Sequence, residues 1–262
     1  MTDVLGAIVA GRHRQVAAAR QLVPVAHWQD LAATRPRRDF WAAVAGGPPG
    51  VVAEFKRRSP SRGDIALTAD PAVVAAAYAR GGAVAVSVLT EPVWFGGSLD
   101  DLWAVRSACS LPVLAKDFIV DAYQVWQARA AGADAALLIV AAVGPNLAAL
   151  VAAAGAAGVE PLVEVHTEAE LAAAVDCPGV RVIGVNSRDL KTLTVDPGAV
   201  SDLVRAAART HTVVAESGFR SRTAVAAAAR AGARAVLVGE YLMASADPAA
   251  AVADLAAATD HG

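Results

Sequence analysis

The chain has 262 residues, 56% of them hydrophobic and 18% charged, with a formal net charge of −2. That length and apolar content suit one large domain and exclude a disordered chain, while the near-neutral balance gives no bulk attraction to nucleic acid or to an anionic membrane surface. Two cysteines, Cys109 and Cys177, form neither a disulfide framework nor a paired metal motif, so a reducing cytoplasm is the expected setting.

The first residues, MTDVLGAIVAGRHRQ, lack a basic segment followed by a long apolar run, so no signal peptide is expected. Residues 1–50 read as an N-terminal helical extension. Thr2 to Arg20 has a helical pattern, and Pro24, Pro36 and the Gly46-Gly47-Pro48-Pro49-Gly50 cluster interrupt the remainder of the extension. Arg35-Pro36-Arg37-Arg38 reads as a solvated basic turn, with a role in holding an anion as the alternative.

From Val51 onward, short β-branched runs alternate with Ala-rich helical stretches. Strands are expected at Val51–Phe55, Val84–Leu89, Pro112–Lys116, Ala135–Val140, Pro161–Val165, Arg181–Val185, Thr212–Glu216 and Ala235–Val238. Helices are expected from about Pro71, Leu99, Ala122, Leu147, Glu168, Pro197, Ser221 and Pro248. Asp70, Asp121 and Asp196 stand as N-caps, and Gly81, Gly132 and Gly232 as C-caps. Ala135 to Val159 carries no charge and is long enough to span a membrane, but Gly144-Pro145-Asn146 divides it, so strand, turn and helix are expected there and no membrane role. Eight continuous apolar strands alternating with eight helices over residues 51–262 predict an α/β fold, a (β/α)8 TIM barrel forming one structural domain. The rival, a doubly wound open sheet, would usually carry a GxGxxG turn, and none follows the first strand.

Active sites of such barrels lie at the C-terminal strand ends, and polar residues collect there. The first strand ends in Glu54 and Lys56, which share a face at a spacing of two; later strands end in Lys116-Asp117, Glu164, Asn186 and Arg188, Glu216-Ser217-Gly218 and Gly239-Glu240. Two lysines in one low-dielectric mouth are expected to have lowered pKa values through burial and mutual repulsion, with Glu54, Glu164 and Glu216 supplying negative charge and one of them a base. Glu54 as a mere orienter of Lys56, and Lys116-Asp117 as a local ion pair, are the alternatives. Phosphate is the expected ligand group, held by Ser59, Ser217, Gly218, Gly239 and the backbone N–H of Glu240, whose carboxylate should turn away. Phe118 and the Trp94-Phe95-Gly96-Gly97 loop offer a slot for a planar ring. His166 lies two residues beyond Glu164, where a structural hydrogen bond is the simpler explanation. The other histidines show no metal-ligand spacing.

The ordered motifs AEFKRRSPSRG, SVLTE with WFGGS, PVLAKDFIVDAYQ, ARAAGADAALLIV, PLVEVH, GVNSRDL, VAESG and VLVGEYLM resemble the indole-3-glycerol-phosphate synthase family of tryptophan biosynthesis along almost the whole chain. The resemblance implies helices of the extension lying over the barrel mouth. It also implies ring closure of 1-(2-carboxyphenylamino)-1-deoxyribulose 5-phosphate with loss of CO2 and water, without metal or organic cofactor. Under it Lys116 matches the general acid, Glu164 the base or charge stabiliser, and Lys56 the carboxylate-binding lysine, with Glu54 and Asn186 beside it. Phe95 and Phe118 match the ring slot, Ser59, Gly218 and Gly239 the phosphate site, and Arg188, Leu190, Glu216 and Ser217 the lining of the mouth. A monomer is expected, able to associate weakly with other enzymes of the pathway. Trp94 stands where Phe is frequent, Phe55 where an aliphatic residue is common and Ala122 where proline often opens the helix; Trp94 leaves a ring-substituted substrate open. A barrel isomerase would call for a cysteine–aspartate pair at strand ends, and both cysteines fall on the opposite side. A non-enzymatic phosphate-binding scaffold would leave the crowded charges without a purpose.

Overall fold

The computed structural model describes residues 3–47, 49–187 and 197–257, residues 197–200 by their backbone only. In these segments, strict alternation along short apolar strands divides the core in two. Val52, Ala85, Leu114, Leu162, Val182, Val214 and Leu237 belong to one buried cluster, and their immediate neighbours Val51, Val86, Val113, Val163, Ile183, Val213 and Val236 to another. A sheet apolar on both faces must be covered on both, and closing it on itself covers one of them.

The strands are β1 (Gly50–Phe55), β2 (Ala85–Leu89), β3 (Val113–Lys116), β4 (Ala135–Ile139), β5 (Glu160–Val165), β6 (Val182–Asn186), β7 (Thr212–Glu216) and β8 (Ala235–Val238). All pair in parallel, each with the next, and β8 returns to β1. The expected (β/α)8 barrel is therefore the observed fold. The register sets Leu89 beside Lys116 and Asn186 beside Glu216, so the polar strand ends meet at one rim.

The N-terminal helices are α1 (Val4–Leu22), α2 (Val25–Ala33) and α3 (Phe40–Ala45). The outer helices are α4 (Pro71–Arg80), α5 (Leu99–Ala108), α6 (Ala122–Ala130), α7 (Leu147–Ala157), α8 (Glu168–Val175), α9 (Pro197–Ala207), α10 (Arg222–Ala231) and α11 (Pro248–Ala256). Asp70 and Asp121 cap α4 and α6 by accepting from backbone N–H groups of their first turns, whereas Asp196 lies outside the described residues. Gly132 and Gly232 take the positive φ of a helix end, but after α4 it is Gly82 (φ 86°) that does so, not Gly81. Gly81 is instead a close approach, since a Cβ there would stand 2.4 Å from the carbonyl oxygen of Ala249. The uncharged stretch resolves into β4, a short turn of helix (Val140–Val143), a 3₁₀ turn (Gly144–Asn146) and α7, whose Leu147, Leu150 and Val151 pack into the outer core.

The N-terminal segment closes both ends of the barrel. Leu5 and Ile8 of α1 join the interior cluster, and so do Phe40 and Val44 of α3, which sits by the strand starts, where Trp41 Nε1 donates to Thr212 Oγ1 at 3.3 Å. The basic turn between them is solvated at Pro36 and Arg37, as expected, but Arg35 and Arg38 are half-buried and clamp the segment to the barrel. The Arg38 N–H donates to Asp134 Oδ1 (2.8 Å), its guanidinium to Leu111 O (2.7 Å), and Arg35 Nε to Ala130 O (2.9 Å). Asp134, fully buried, also pairs with Arg106 and accepts from Val113 N–H at 3.0 Å, with Arg129 3.8 Å away.

Replacing Asp134 by Ala leaves the buried guanidinium groups of Arg106 and Arg129 without their counter-charge. A destabilisation of about 3–5 kcal/mol is expected in urea unfolding followed by circular dichroism. A loss below about 1 kcal/mol would show that the backbone carbonyls around the two arginines suffice.

Candidate active site

Strand parity decides which ends face the mouth. Glu54 and Lys56 have the inward parity of Val52, Lys116 that of Leu114, Glu164 that of Leu162, and Glu216 that of Val214. They form one ion pair and one cluster of a lysine with two carboxylates. Lys56 Nζ is 2.7 Å from Glu54 Oε1; Lys116 Nζ is 2.6 Å from Glu216 Oε2 and 3.4 Å from Glu164 Oε2. The three carboxylates are 1–3% exposed. Two glycines make room for them. A Cβ on Gly184 would stand 2.3 Å from Glu216 Oε1, and one on Gly239 would stand 2.2 Å from Glu54 Oε1.

The lysine expectation needs correcting. Burial by itself does push the Lys116 ammonium down, but the fields of Glu216, Glu164 and Glu54 outweigh it and hold the group above its ordinary value. Burial raises Glu216 to about 8 against the pull of Lys116, with Glu164 adding to the rise. Glu164 moves the other way: Lys116 and then His166 overcome its burial and keep it ionised. Asn186 also hydrogen-bonds Glu164.

One cavity is lined by Glu54, Lys56, Lys116, Glu164 and Asn186, by Phe95 and Phe118, and by Ser59, Ser217, Gly218, Gly239 and Glu240. Glu216 does not line it and meets Lys116 from behind. Arg188 and Leu190 lie outside the described residues. Leu5 and Ile8 of α1 contribute apolar walls that no strand-end motif announces.

The side of the cavity where the sequence leads one to expect an anion is built from loops after β1, β7 and β8. Ser217 (φ 71°) is the one non-glycine residue with positive φ among the described residues, and Gly218 follows at φ 84°. Ser187 Oγ donates to the carbonyls of Glu216 (3.1 Å) or Ser217 (3.2 Å) and steadies that turn. Glu240 opens a single helical turn (Glu240–Met243), and its carboxylate lies 3.7 Å from the guanidinium groups of both Arg62 and Arg220, which offset its charge at this rim. Ser59, buried, accepts from the Arg62 N–H at 3.3 Å.

Phe95 and Phe118 face each other with centroids 5.9 Å apart and planes at 35°. Their backbones are held by buried acids to which strand-end polarity gave no role. Glu91 accepts from the N–H groups of Val93, Trp94 and Phe95 (3.0, 2.6 and 3.1 Å). Asp117 accepts from Phe118 N–H (2.7 Å) and Thr90 Oγ1 (2.9 Å), and pairs with Arg12 of α1 at 2.7 Å. Asp117 is thus the anchor of α1 rather than the ion-pair partner of Lys116. Trp94 packs against the interior cluster without lining the cavity. His166 Nε2 stands 3.2 Å from Glu164 Oε1, and its Nδ1 3.3 Å from Glu170 Oε2. Among the described residues, no group of three or more His, Cys, Asp or Glu is arranged to hold a metal ion.

A family model described as indole-3-glycerol phosphate synthase matches residues 5–255. Indole-3-glycerol phosphate synthase 1 of Streptomyces coelicolor is 48% identical over 261 residues, covering 99% of this chain and 97% of that protein. Indole-3-glycerol phosphate synthase of Mycolicibacterium smegmatis is 49% identical, covering 98% and 95%. Among solved structures, 3-hexulose-6-phosphate synthase aligns with a TM-score of 0.64 at 19% identity, over 80% of this chain and 99% of that one. A mutant tryptophan synthase alpha-subunit from Pyrococcus furiosus aligns with a TM-score of 0.58 at 15% identity, over 79% and 97%. At such identities the structural likeness speaks for the barrel alone.

The cluster makes stability pH-dependent. For His166, burial lowers the imidazole pKa, but the carboxylates of Glu164 and Glu170 beside its two ring nitrogens more than reverse this and raise it from 6.5 to about 10. A raised value means stabilisation that is complete below about 6.5 and is lost as pH climbs through about 10. The melting temperature should fall over that window by more than it does for His166→Gln, whose amide stays neutral. A constant offset between the two proteins across the window would remove His166 as the cause.

Proposed function

The chain belongs to the indole-3-glycerol phosphate synthase family, and from that premise we propose that this cavity closes the ring of 1-(2-carboxyphenylamino)-1-deoxyribulose 5-phosphate to indole-3-glycerol phosphate, releasing CO2 and water. The observation that supports the assignment of roles is a buried lysine, Lys116, kept charged between Glu216 and Glu164 in the same cavity as Phe95 and Phe118 and the glycine-rich turn Ser217-Gly218.

The phosphate sits against Ser59, Ser217, Gly218, Gly239 and the backbone N–H of Glu240, with Arg62 and Arg220 near enough to offset the carboxylate of Glu240. The anilino ring packs against the wall that Phe95 and Phe118 form together, and Lys56, oriented by Glu54, takes the ring carboxylate. This places the ring carbon that bears the carboxylate against the ribulose carbonyl. As that carbon attacks, the carbonyl π electrons move to oxygen and Lys116 delivers a proton there. A raised amine pKa is no obstacle, because the developing alkoxide is a far stronger base than an amine, and the neighbouring glutamates ensure that the proton is present.

Loss of CO2 returns its bonding pair to the ring. The new hydroxyl then departs as water, protonated by Lys56 or a recharged Lys116, while the nitrogen lone pair pushes it out. Glu164, held ionised, removes the last ring proton and leaves the indole. Two protons are delivered and one is recovered, so each turnover takes one proton from solvent, matching the conversion of a carboxylate to neutral CO2.

The proposal extends to a cytoplasmic monomer able to associate weakly with enzymes that use its product; both thiols, Cys109 and Cys177, are free, which suits a reducing compartment. Nothing favours a ring-substituted substrate, because Trp94 packs outside the cavity.

Purified protein with the anilino-deoxyribulose phosphate and excess EDTA should form fluorescent indoleglycerol phosphate; binding of substrate without product would move the assignment to a different ring. Lys116→Ala should lower kcat by about 10²–10⁴-fold while phosphate binding and the fold persist, and near-normal turnover would remove Lys116 as the acid. Glu164→Gln should lower kcat far more than it raises KM, and an effect confined to KM would make Glu164 a binding group.

A further inference from the structure

Glu164 has an incomplete partner set on the cavity side. Lys116 lies 2.6 Å from Glu216 but 3.4 Å from Glu164, so the shorter of its two contacts goes to the other acid. Glu164 Oε1 has no aligned hydrogen bond among the described residues, and neither does His166 Nε2, although the two atoms are 3.2 Å apart and buried. The cation facing that oxygen is the imidazole, whose side chain is only 12% exposed.

His166 is itself held. Its backbone N–H donates to Glu170 Oε2 at 2.7 Å, and Nδ1 stands 3.3 Å from the same oxygen. Glu170 occupies the third position of α8 after the N-cap Thr167, whose hydroxyl accepts from the Glu170 N–H at 3.2 Å. A variant of the capping box, in which Glu170 accepts from the N–H of the residue before the N-cap rather than from that of Thr167, explains why Glu170 folds back to the helix start. It does not explain why the imidazole, gripped on Nδ1, turns Nε2 toward Glu164, the carboxylate with the longer of the two contacts to Lys116.

We propose that His166, aimed by Glu170, is a positioning residue for the reaction: it draws Oε1 of Glu164 to itself and leaves Oε2 facing Lys116 and the reacting ring. This rests on Glu164 serving as the base proposed above. Ring-proton removal then has one oxygen in place, and the carboxylate cannot swing to a second contact with Lys116 that would bury both lone-pair sites against the ammonium. The charged groups that bear on the pair are Lys116 from β3, Glu216 from β7, Glu54 from β1 through Lys116, and Glu170 from α8.

The test compares wild type with His166→Ala, His166→Gln and Glu170→Gln in steady-state kinetics across pH, together with imidazole ¹⁵N titrations of wild type and Glu164→Gln. His166→Ala should lose about 10- to 100-fold in kcat with little change in KM. Its acid limb of kcat/KM should move to higher pH, because Glu164 has lost a cationic neighbour. His166→Gln, which restores a donor near the Nε2 position without charge, should recover part of kcat but leave the limb displaced. Glu170→Gln should shift both in the same direction by less. The His166 ¹⁵N midpoint should fall in Glu164→Gln. If His166→Ala keeps kcat and its acid limb and loses only thermal stability, the histidine merely starts a helix and the inference is overturned alone. An inactive wild type would overturn the assigned reaction and this inference with it.

Discussion

A charged lysine taken out of water is stable only if its neighbours return more than the hydration it gave up, and everything at the mouth of this barrel is arranged around that condition at Lys116. Glu216 and Glu164 meet it from different strands, 2.6 and 3.4 Å away. Two carboxylates around one ammonium create the next problem, their mutual repulsion, and the structure divides it: Glu164 is drawn to the ionised side by Lys116 and His166, and Glu216 is pushed up by burial. One carboxylate is thus held ionised and the other pushed toward its protonated form beside the same ammonium, so that two like groups hold different protonation states in one cluster.

Such a cluster needs a rigid frame and space. The closed parallel barrel supplies the frame, because no strand end can retreat without breaking ladders on both sides. Gly184 and Gly239 supply the space, each leaving the volume of a methyl group to a carboxylate oxygen. The N-terminal segment then seals the assembly at opposite ends with one continuous piece of chain. Phe40 and Val44 fill the interior from the strand starts, and Leu5 and Ile8 cover it near the site. Two buried acids fasten this piece, Asp134 at the basic turn and Asp117 through Arg12. Asp117 bears on the site through α1, whose Leu5 and Ile8 line it, whereas Asp134 holds the opposite end.

The ring slot illustrates how buried charge is used for order as well as chemistry. Glu91 is 1% exposed and spends its carboxylate on three consecutive backbone N–H groups, the last belonging to Phe95. Asp117 does the same for Phe118. The two faces of the slot are thus each tied to a neighbouring acid at the end of β2 or β3, and the aromatic rings inherit the precision of the strands.

Periodicity, caps and strand-end polarity were legible from the sequence because they are local. A run such as Val51–Phe55 alternates whatever surrounds it, Asp70 and Asp121 cap helices through groups two or three residues away, and residues with inward parity must share a face. Those signals sufficed for eight strands, the barrel and the strand-end lysines and acids that line the cavity, and the family motifs supplied the chemistry. What the sequence could not decide was which charges meet. Lys116 adjoins Asp117 in the chain yet pairs with Glu216 and Glu164, while Asp117 turns to Arg12, 105 positions away. The arginines of the basic turn look solvated until Asp134 is brought beneath them, and His166 looks structural until Glu164 lies 3.2 Å from its ring. Coulomb energies depend on distance and burial, and both are set only when the sheet closes.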